Sequence, residues 1–216
     1  MDNYEIDDQI NVFKDKIGNF RELMMHYECA LLEVQTKLGV LNNELGLQRE
    51  RNPFESIRSR IKEPRSIYDK LVRKDVPITV ESIEKHCFDV AGIRVICSFT
   101  EDIYALAQLL IQQDDIQLIR QKDYIAHPKE NGYRSLHLVV QVPIFLSTGK
   151  TYVKIEIQFR TIAMDFWASL EHKMKYKKAV EDDLRLEQKL KDCADRIHEL
   201  DEEMQSIRSM MIQREA

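Results

Sequence analysis

The fold is decided by residues 136–160, which read LHLVVQVPIFLSTGKTYVKIEIQFR. Residues 136–142 and 152–159 are rich in β-branched side chains, and a turn at Gly149 separates them, so the stretch predicts two strands joined by a turn. In the second strand apolar and polar residues alternate, which places Glu156 on the polar face. A glutamate in the middle of a strand lies either on a solvated surface or in a functional site.

Outward from this hairpin, the sequence alternates between strand-like and helix-like segments. Two more β-branched runs, at residues 92–98 and 116–122, predict further strands. Helices are predicted beside the strands at residues 64–74, 80–88, 101–113 and 161–177. This order indicates an α/β fold with a mixed β-sheet of about five strands.

Both ends of the chain carry a heptad-like apolar pattern, from Ile6 to Leu45 and from Leu186 to Met211. We therefore predict long N- and C-terminal helices around the α/β centre. The predicted organisation is a helical segment at 1–50, a central domain at 51–178 and a C-terminal helix at 179–216. The apolar faces of the two end helices serve either oligomerisation or packing within one chain.

The bulk composition favours a soluble, folded, cytoplasmic protein. The chain has 216 residues with 44% hydrophobic and 32% charged residues, a length and composition that suit a folded, soluble protein with a core rather than a disordered chain. The net charge of −5 argues against a protein that coats nucleic acid, so any polyanion site must be a local basic cluster. No apolar run reaches membrane-spanning length and the N-terminus resembles no targeting signal. The four cysteines form no C-x-x-C pair, which favours reduced thiols.

A local basic cluster of this kind lies at residues 58–74, which contain seven positively charged and two negatively charged side chains. Pro64 suits the first turn of a helix, and in that helix Ser66, Lys70 and Arg73 share one face. We expect Ile67, Leu71, Tyr68 and Val72 to anchor the opposite side on the core. A hydroxyl and two cations aligned in this way suit a chain of phosphates, although a solvated basic helix has the same pattern.

Two carboxylates are candidates for a metal site. Asp89 precedes the predicted strand at 92–98, and Glu156 lies on the polar face of the last strand. If the two strands are neighbours, the carboxylates provide the oxygen ligands that Mg²⁺ prefers. The alternative is a pair of separate surface carboxylates.

The long connection before residue 136 is a candidate nucleotide-binding loop. Residues 122–137 bring the side chains of Lys122, Lys129, Arg134 and His137 near Tyr133 in the sequence, and Gly132 gives the backbone freedom to turn. A flat base stacks well on tyrosine, and neighbouring cations suit phosphates. A turn with incidental charge is the alternative.

Four segments together resemble the RelA/SpoT-type (p)ppGpp synthetase domain, in the form of a small alarmone synthetase. They are, in order, RSRIKEPRSIYDKLVRK (58–74), DVAGIRVIC (89–97), KDYIAHPKENGYRSLH (122–137) and EIQFRTIAMDFWASLEHK (156–173). The resemblance implies a nucleotidyltransferase-like synthetase fold and a Mg²⁺-dependent enzyme. It would transfer pyrophosphate from ATP to the 3′-hydroxyl of GDP or GTP, producing AMP and (p)ppGpp.

The resemblance also implies a role for each matching residue. Glu156 is expected to act as the base for the acceptor hydroxyl and, with Asp89, as a Mg²⁺ ligand. The residues expected to bind ATP are Arg60, Lys62, Ser66, Lys70, Arg73 and Arg94, the two outer arginines flanking adenine. The residues expected to bind GDP or GTP are Lys122, Lys129, Tyr133, Arg134, His137 and Gln158, with Tyr133 stacking on guanine.

Further expectations follow from what the matching region contains. The chain has no adjacent His-Asp pair of the kind found in the family's hydrolase domain, so hydrolysis of the product is not expected. Dependence on the ribosome is not expected either, and the end helices fit the family's homotetramers. The alternative function is a catalytically inactive nucleotide-binding regulator with the same fold.

Overall fold

The computed structural model describes residues 20–48, 51–176 and 184–215. The part of the N-terminal pattern between Ile6 and Ile17 therefore lies outside the described residues, as does the beginning of the predicted segment 179–216. The elements in chain order are α1 (Phe20–Gln48), β1 (Phe54–Ile61), α2 (Pro64–Arg73), α3 (Val80–His86), β2 (Ala91–Cys97), α4 (Thr100–Ile111), β3 (Gln117–Asp123), β4 (Leu136–Leu146), β5 (Gly149–Thr161), α5 (Ile162–Tyr176) and α6 (Leu184–Glu215). The described helices include none long and apolar enough to cross a membrane.

The five strands form one mixed sheet in the order β1-β2-β5-β4-β3. Strand β5 pairs in parallel with β2 and antiparallel with β4, which makes it the central strand. The α/β class and the mixed sheet of about five strands predicted from the sequence are confirmed.

One face of the sheet holds the apolar core. Ile155, Ile157 and Phe159 of β5 are fully buried, as the alternation predicted. Helix α1 packs across four of the strands, and its buried residues recur every three or four positions. Each fully buried aliphatic side chain, such as Val34 or Leu38, contributes about 1.5–3 kcal/mol to folding. The opposite, polar side of β5 remains available for chemistry.

The strand register brings the candidate residues together. Glu156 of β5 pairs with Gly92 of β2, three positions after Asp89. On the other side, Gln158 pairs with His137 of β4, which in turn pairs with Lys122 of β3. A row of polar side chains therefore crosses the sheet from the donor candidates to the acceptor candidates.

The structure corrects two predictions. Strand β1 was not placed from the sequence, because it is an edge strand in which only Phe54 is buried and no apolar alternation is visible. The anchoring role of Val72 was wrong, since its side chain is 52% exposed. Only Ile67 and Leu71 of α2 are fully buried, which is the single stripe that a short surface helix needs.

Helix α6 packs against the loop that precedes β4. Gly132 in this loop has a φ of +84°, and a Cβ atom added there would lie 2.5 Å from Cβ of Ala194 in α6. The loop backbone thus approaches the helix as closely as a glycine allows. At Gly39 in α1, by contrast, an added Cβ meets nothing within 4 Å.

We predict opposite effects of alanine at these two glycines. Gly132→Ala combines left-handed backbone strain with a steric clash, and should lower the free energy of unfolding by about 2 kcal/mol or more. Gly39→Ala should raise it by about 0.5–1 kcal/mol, because alanine is the better helix former. Urea denaturation of both variants measures the difference, and a Gly132→Ala variant as stable as the wild type would contradict the described packing.

Candidate active site

A cavity of about 210 Å³ opens between β1, β2 and β5. Its lining combines cations, two carboxylates and small residues: Arg58, Ser59, Arg60, Asp89, Gly92, Ile93, Arg94, Glu156 and Gln158. Five of these residues were predicted as site residues from the sequence. Because Gly92 has no side chain, the backbone of β2 forms this part of the cavity lining.

Asp89 is held by two lysines from the basic segment. Its two carboxylate oxygens lie 2.9 Å from Nζ of Lys62 and 2.6 Å from Nζ of Lys70. Burial raises the pKa of Asp89, but the hydrogen bonds and charges of Lys70 and Lys62 outweigh burial and lower the pKa to about 2. The carboxylate is therefore ionised at neutral pH and lies beside the two cations.

The low pKa of Asp89 predicts a loss of stability in acid. A carboxyl group whose pKa is lower in the folded state stabilises the fold above its unfolded pKa, near 3.8, and loses that contribution as the pH falls towards 2. The free energy by which wild type exceeds Asp89→Asn should therefore shrink between pH 5 and pH 2. Urea unfolding across this range measures it, with the exposed Asp69→Asn as control; a constant difference would contradict the described ion pairs.

Glu156 receives a hydrogen-bonding group at each carboxylate oxygen. Nδ1 of His137 lies 3.2 Å from Oε1, and Nε2 of Gln158 donates to Oε2 at 2.8 Å. Burial raises the pKa of Glu156, whereas these hydrogen bonds and the charge of His137 lower it, and the net direction is downward. Glu156 is thus ionised and oriented from both sides.

The loop before β4 brings the acceptor candidates next to Glu156. The hydroxyl of Tyr133 lies 2.8 Å from Nε2 of His137, which continues the contact to Glu156. Nζ of Lys129 lies 4.7 Å from the centre of the Tyr133 ring, and Lys122 lies 6.0 Å from the neighbouring ring of Tyr124. Tyrosine rings and cations therefore lie together on the side of Glu156 that His137 contacts.

Two predicted residues, Arg73 and Arg134, make contacts away from the cavity, and Ser66 is not among the residues that line it. Arg73 is exposed and its Nε donates to the carbonyl of Asp69 in its own helix. Ser66 is half-buried on the same helix. Arg134 donates to the carbonyl of Ile125 and lies 3.8 Å from Asp195 of α6, so it joins the loop to the C-terminal helix. In the described part of the chain, these three residues are not among those that line the cavity.

The donor set suits Mg²⁺ better than a transition metal. Asp89 and Glu156 line one cavity, and their charges interact. No cluster of three or more histidine, cysteine or acidic side chains that could hold a metal occurs in ranges 20–48, 51–176 and 184–215. Two carboxylates in one cavity are the kind of oxygen donor set with which Mg²⁺ is commonly bound, together with substrate phosphates.

Two further residues of the site, Arg160 and Asp165, were not assigned a role from the sequence. Arg160 is 4% exposed, and its Nη1 donates to Oδ1 of Asp165 at 2.9 Å. The same oxygen lies 3.1 Å from Nη1 of Arg94. The strand alternation placed Arg160 on the polar face with Glu156, but it carried no signal for the contact with α5.

Comparison with known proteins identifies the family. A model described as a region found in RelA / SpoT proteins matches residues 59–181, more than half of the chain. The chain belongs to the RelA/SpoT family. All the candidate residues discussed above lie inside the matched region, apart from Arg58 and the residues of α6.

Two relatives within the RelA/SpoT family match over most of their length. GTP pyrophosphokinase YwaC of Bacillus subtilis (strain 168) is 44% identical over 195 residues, which cover 90% of this chain and 93% of YwaC. GTP pyrophosphokinase YjbM of the same organism is 35% identical over 190 residues, covering 88% of each chain.

Solved structures of the same kind share the fold. Small alarmone synthetase 2 from Bacillus subtilis has a TM-score of 0.81 at 42% identity and covers 89% of this chain and 99% of its own. Small alarmone synthetase 1 from Bacillus subtilis bound to its product pppGpp has a TM-score of 0.82 at 35% identity, covering 89% and 97%. The fold and the family therefore agree with the resemblance seen in the sequence.

Proposed function

We propose that the chain is a GTP pyrophosphokinase that transfers the β,γ-pyrophosphate of ATP to the 3′-hydroxyl of GDP or GTP. The products are AMP and the alarmone (p)ppGpp. The observation that carries the proposal is one cavity in which Asp89 and Glu156 lie beside the arginines and lysines of the basic segment. The names of the small synthetases that the chain resembles support the same reaction.

The donor half of the proposed site is built from β1, α2 and β2. Lys62 and Lys70 are proposed to bind the phosphates of ATP, and Ser66 and Arg73 of α2 complete this set on a change of side-chain rotamer. Arg60 and Arg94, which line the cavity from neighbouring strands, are proposed to flank adenine. Cations at these positions stabilise the charge that develops on the transferred group.

The acceptor half is built from the loop before β4 and from β3 to β5. Tyr133 is proposed to stack on guanine, which requires Lys129 to move from the ring that it now covers. Lys122 and Lys129 provide positive charge for the 5′-phosphates, and Arg134 joins them on a change of side-chain rotamer. His137 and Gln158 orient Glu156.

The proposed reaction is an in-line displacement. The 3′-oxygen of the acceptor forms a bond with the β-phosphorus of ATP, and the bond between that phosphorus and the α,β-bridging oxygen breaks to release AMP. Glu156 accepts the hydroxyl proton as the new bond forms. Asp89 and Glu156 would hold Mg²⁺, which would neutralise negative charge on the phosphate oxygens.

A product assay tests the function. Purified protein is incubated with GDP and ATP labelled at the γ-phosphate, with Mg²⁺ or with EDTA, and the nucleotides are separated by thin-layer chromatography. We expect labelled guanosine tetraphosphate and an equal amount of AMP in the presence of Mg²⁺ only. ATP binding without labelled product would favour the inactive regulator, and product in EDTA would exclude the metal.

The proposal includes assembly through the terminal helices into a homotetramer. Apolar side chains on α6 are exposed in the single chain, among them Leu200, Met204, Ile207 and Met211. Exposed apolar stripes of this kind favour association with another copy. Light scattering should give four times the chain mass of 25.6 kDa, and a mass of one chain would contradict this part.

A cytoplasmic location and independence of the ribosome belong to the same proposal. All four cysteines are free, and Cys87 and Cys97 are buried, which suits a reducing compartment. Formation of product by the purified protein alone, without ribosomes, supports the second point.

A further inference from the structure

Arg160 is the most buried charged group of the active site. The residue is 4% exposed, and its guanidinium contacts three side chains, one each from α5, the loop before β4 and β5. Nη1 donates to Asp165 of α5, while Nη2 donates to the hydroxyl of Tyr133 at 2.8 Å and to Oε1 of Gln158 at 3.2 Å. Burial of a cation is costly unless it is paired, so a buried arginine with three polar partners is held for a specific geometry.

Both routes from Arg160 end on Glu156. In the first, Oε1 of Gln158 accepts from Arg160, which fixes the amide so that its Nε2 donates to Oε2 of Glu156. In the second, the Tyr133 hydroxyl contacts Nε2 of His137, and Nδ1 of the same ring contacts Oε1 of Glu156. Each oxygen of the glutamate is thus oriented by a chain of hydrogen bonds that begins at one guanidinium.

The second route also selects a histidine tautomer. Because the Tyr133 hydroxyl accepts from Arg160, its own proton is directed towards Nε2 of His137. A neutral imidazole that accepts at Nε2 carries its proton on Nδ1, where it faces the ionised Glu156. Arg160, acting through the Tyr133 hydroxyl, therefore reinforces the tautomer that the acceptor-only carboxylate of Glu156 also requires, although Arg160 and His137 are not in contact.

Asp165 connects this network to the donor half. Its Oδ1 contacts both Arg160 and Arg94, two arginines of like charge, and so holds them together. Arg94 lines the cavity with Asp89 and Glu156. One carboxylate oxygen of α5 thus links the acceptor side of the site with the donor side.

We propose that Arg160, anchored by Asp165, is the positioning residue for Glu156, and that it acts through the Gln158 amide and the Tyr133–His137 pair. The inference rests on the proposed function in that Glu156 is the base of the reaction. Arg160 does not itself touch the reacting atoms; it holds the groups that orient them.

Steady-state kinetics with three variants provide the first test. Arg160→Lys keeps the charge but loses the planar fork, so we expect kcat to fall by about 10- to 100-fold, with KM for ATP within about threefold. Tyr133→Phe keeps the ring for stacking and loses the hydroxyl, so kcat should fall while KM for GDP stays within about threefold. In the double variant the two effects should be less than multiplicative, because both act through one network.

Arg208→Lys is the matched control. Arg208 also contacts a carboxylate, Glu101 at 3.5 Å, and also lies over an aromatic ring, that of Phe99, but outside the site. We expect wild-type kinetics from this variant. An Arg160→Lys enzyme that differs from the control only in melting temperature, with unchanged kcat, would overturn the proposal.

A spectroscopic test is independent of catalysis. In ¹H–¹⁵N correlation spectra at pH 8, the ring of His137, assigned with a His137→Gln variant, should be the Nδ1-protonated tautomer in the wild type. The proportion of this tautomer should be lower in Arg160→Lys and in Tyr133→Phe, because Nε2 is then no longer held by a directed hydroxyl donor. The same proportion in all three proteins would overturn the inference even if the wild type makes (p)ppGpp. If the tautomer of His137 changes in the variants as expected although the wild type makes no (p)ppGpp, only the proposed function has failed.

Discussion

Replacement of Glu156 by glutamine is expected to reduce (p)ppGpp synthesis by about a thousandfold, in line with the loss of a general base. Glutamine fills the same volume and its amide oxygen can still accept from one of the two neighbours, His137 or Gln158, but it has no negative charge and cannot accept the proton of the 3′-hydroxyl. Since the carboxylate is held in place on both oxygens, the loss is expected in kcat rather than in folding. Initial rates from labelled ATP measure the change.

The control for this variant is Glu55→Gln. Glu55 of β1 accepts a hydrogen bond from Ser98 at 2.7 Å and is not among the residues lining the cavity. It should retain wild-type rates and ATP binding. Equal product from Glu156→Gln and the wild type would remove Glu156 from the chemistry, whatever the status of the rest of the site.

Asp89→Asn is expected to have the second largest effect, a loss of about a hundredfold in kcat/KM with a rise in the Mg²⁺ concentration needed for half-maximal activity. The substitution removes one of two carboxylates for the metal and leaves Lys62 and Lys70 without their negative partner. Higher Mg²⁺ should therefore restore part of the activity. Titration of activity against Mg²⁺ measures both effects.

Asp115→Asn provides the comparison for Asp89→Asn. Asp115 also pairs with a lysine, Lys37 at 2.6 Å, but it lies away from the cavity. The control should keep the wild-type Mg²⁺ dependence while losing one ion pair. An Asp89→Asn enzyme with an unchanged Mg²⁺ dependence would mean that the carboxylate serves only to hold the lysines.

The central strand of the site was predictable from the sequence, and its neighbours were not. Alternation in β5 placed Glu156 and Gln158 on the polar face, because side chains of a strand alternate regardless of the rest of the fold. The pairing of Gly92 with Glu156, which brings Asp89 to the same cavity, depends on strand order and register. No local pattern encodes these, so the metal pair was a hypothesis until the sheet was known.

Helices gave the same mixture of success and failure. Pro64 marked the start of α2 and Ile67 with Leu71 its buried side, since both signals are local. The direction of Arg73 was not predictable, because a long exposed side chain chooses among many rotamers and here contacts its own helix. The contact between Arg160 and Asp165 joins a strand to the first turns of the next helix, and it depends on the angle between them.

The close approach of Gly132 to Ala194 has a consequence for how the chain can be divided. The sequence predicts a central domain at 51–178 and a C-terminal helix at 179–216. In the structure this helix packs against the loop that carries Tyr133. Trp167 and Thr161 bond to the same helix, at Leu190 and Asp201. A shortened protein without the last segment would expose this loop and these polar groups to water. The terminal helix and the acceptor half thus form a single mechanical unit.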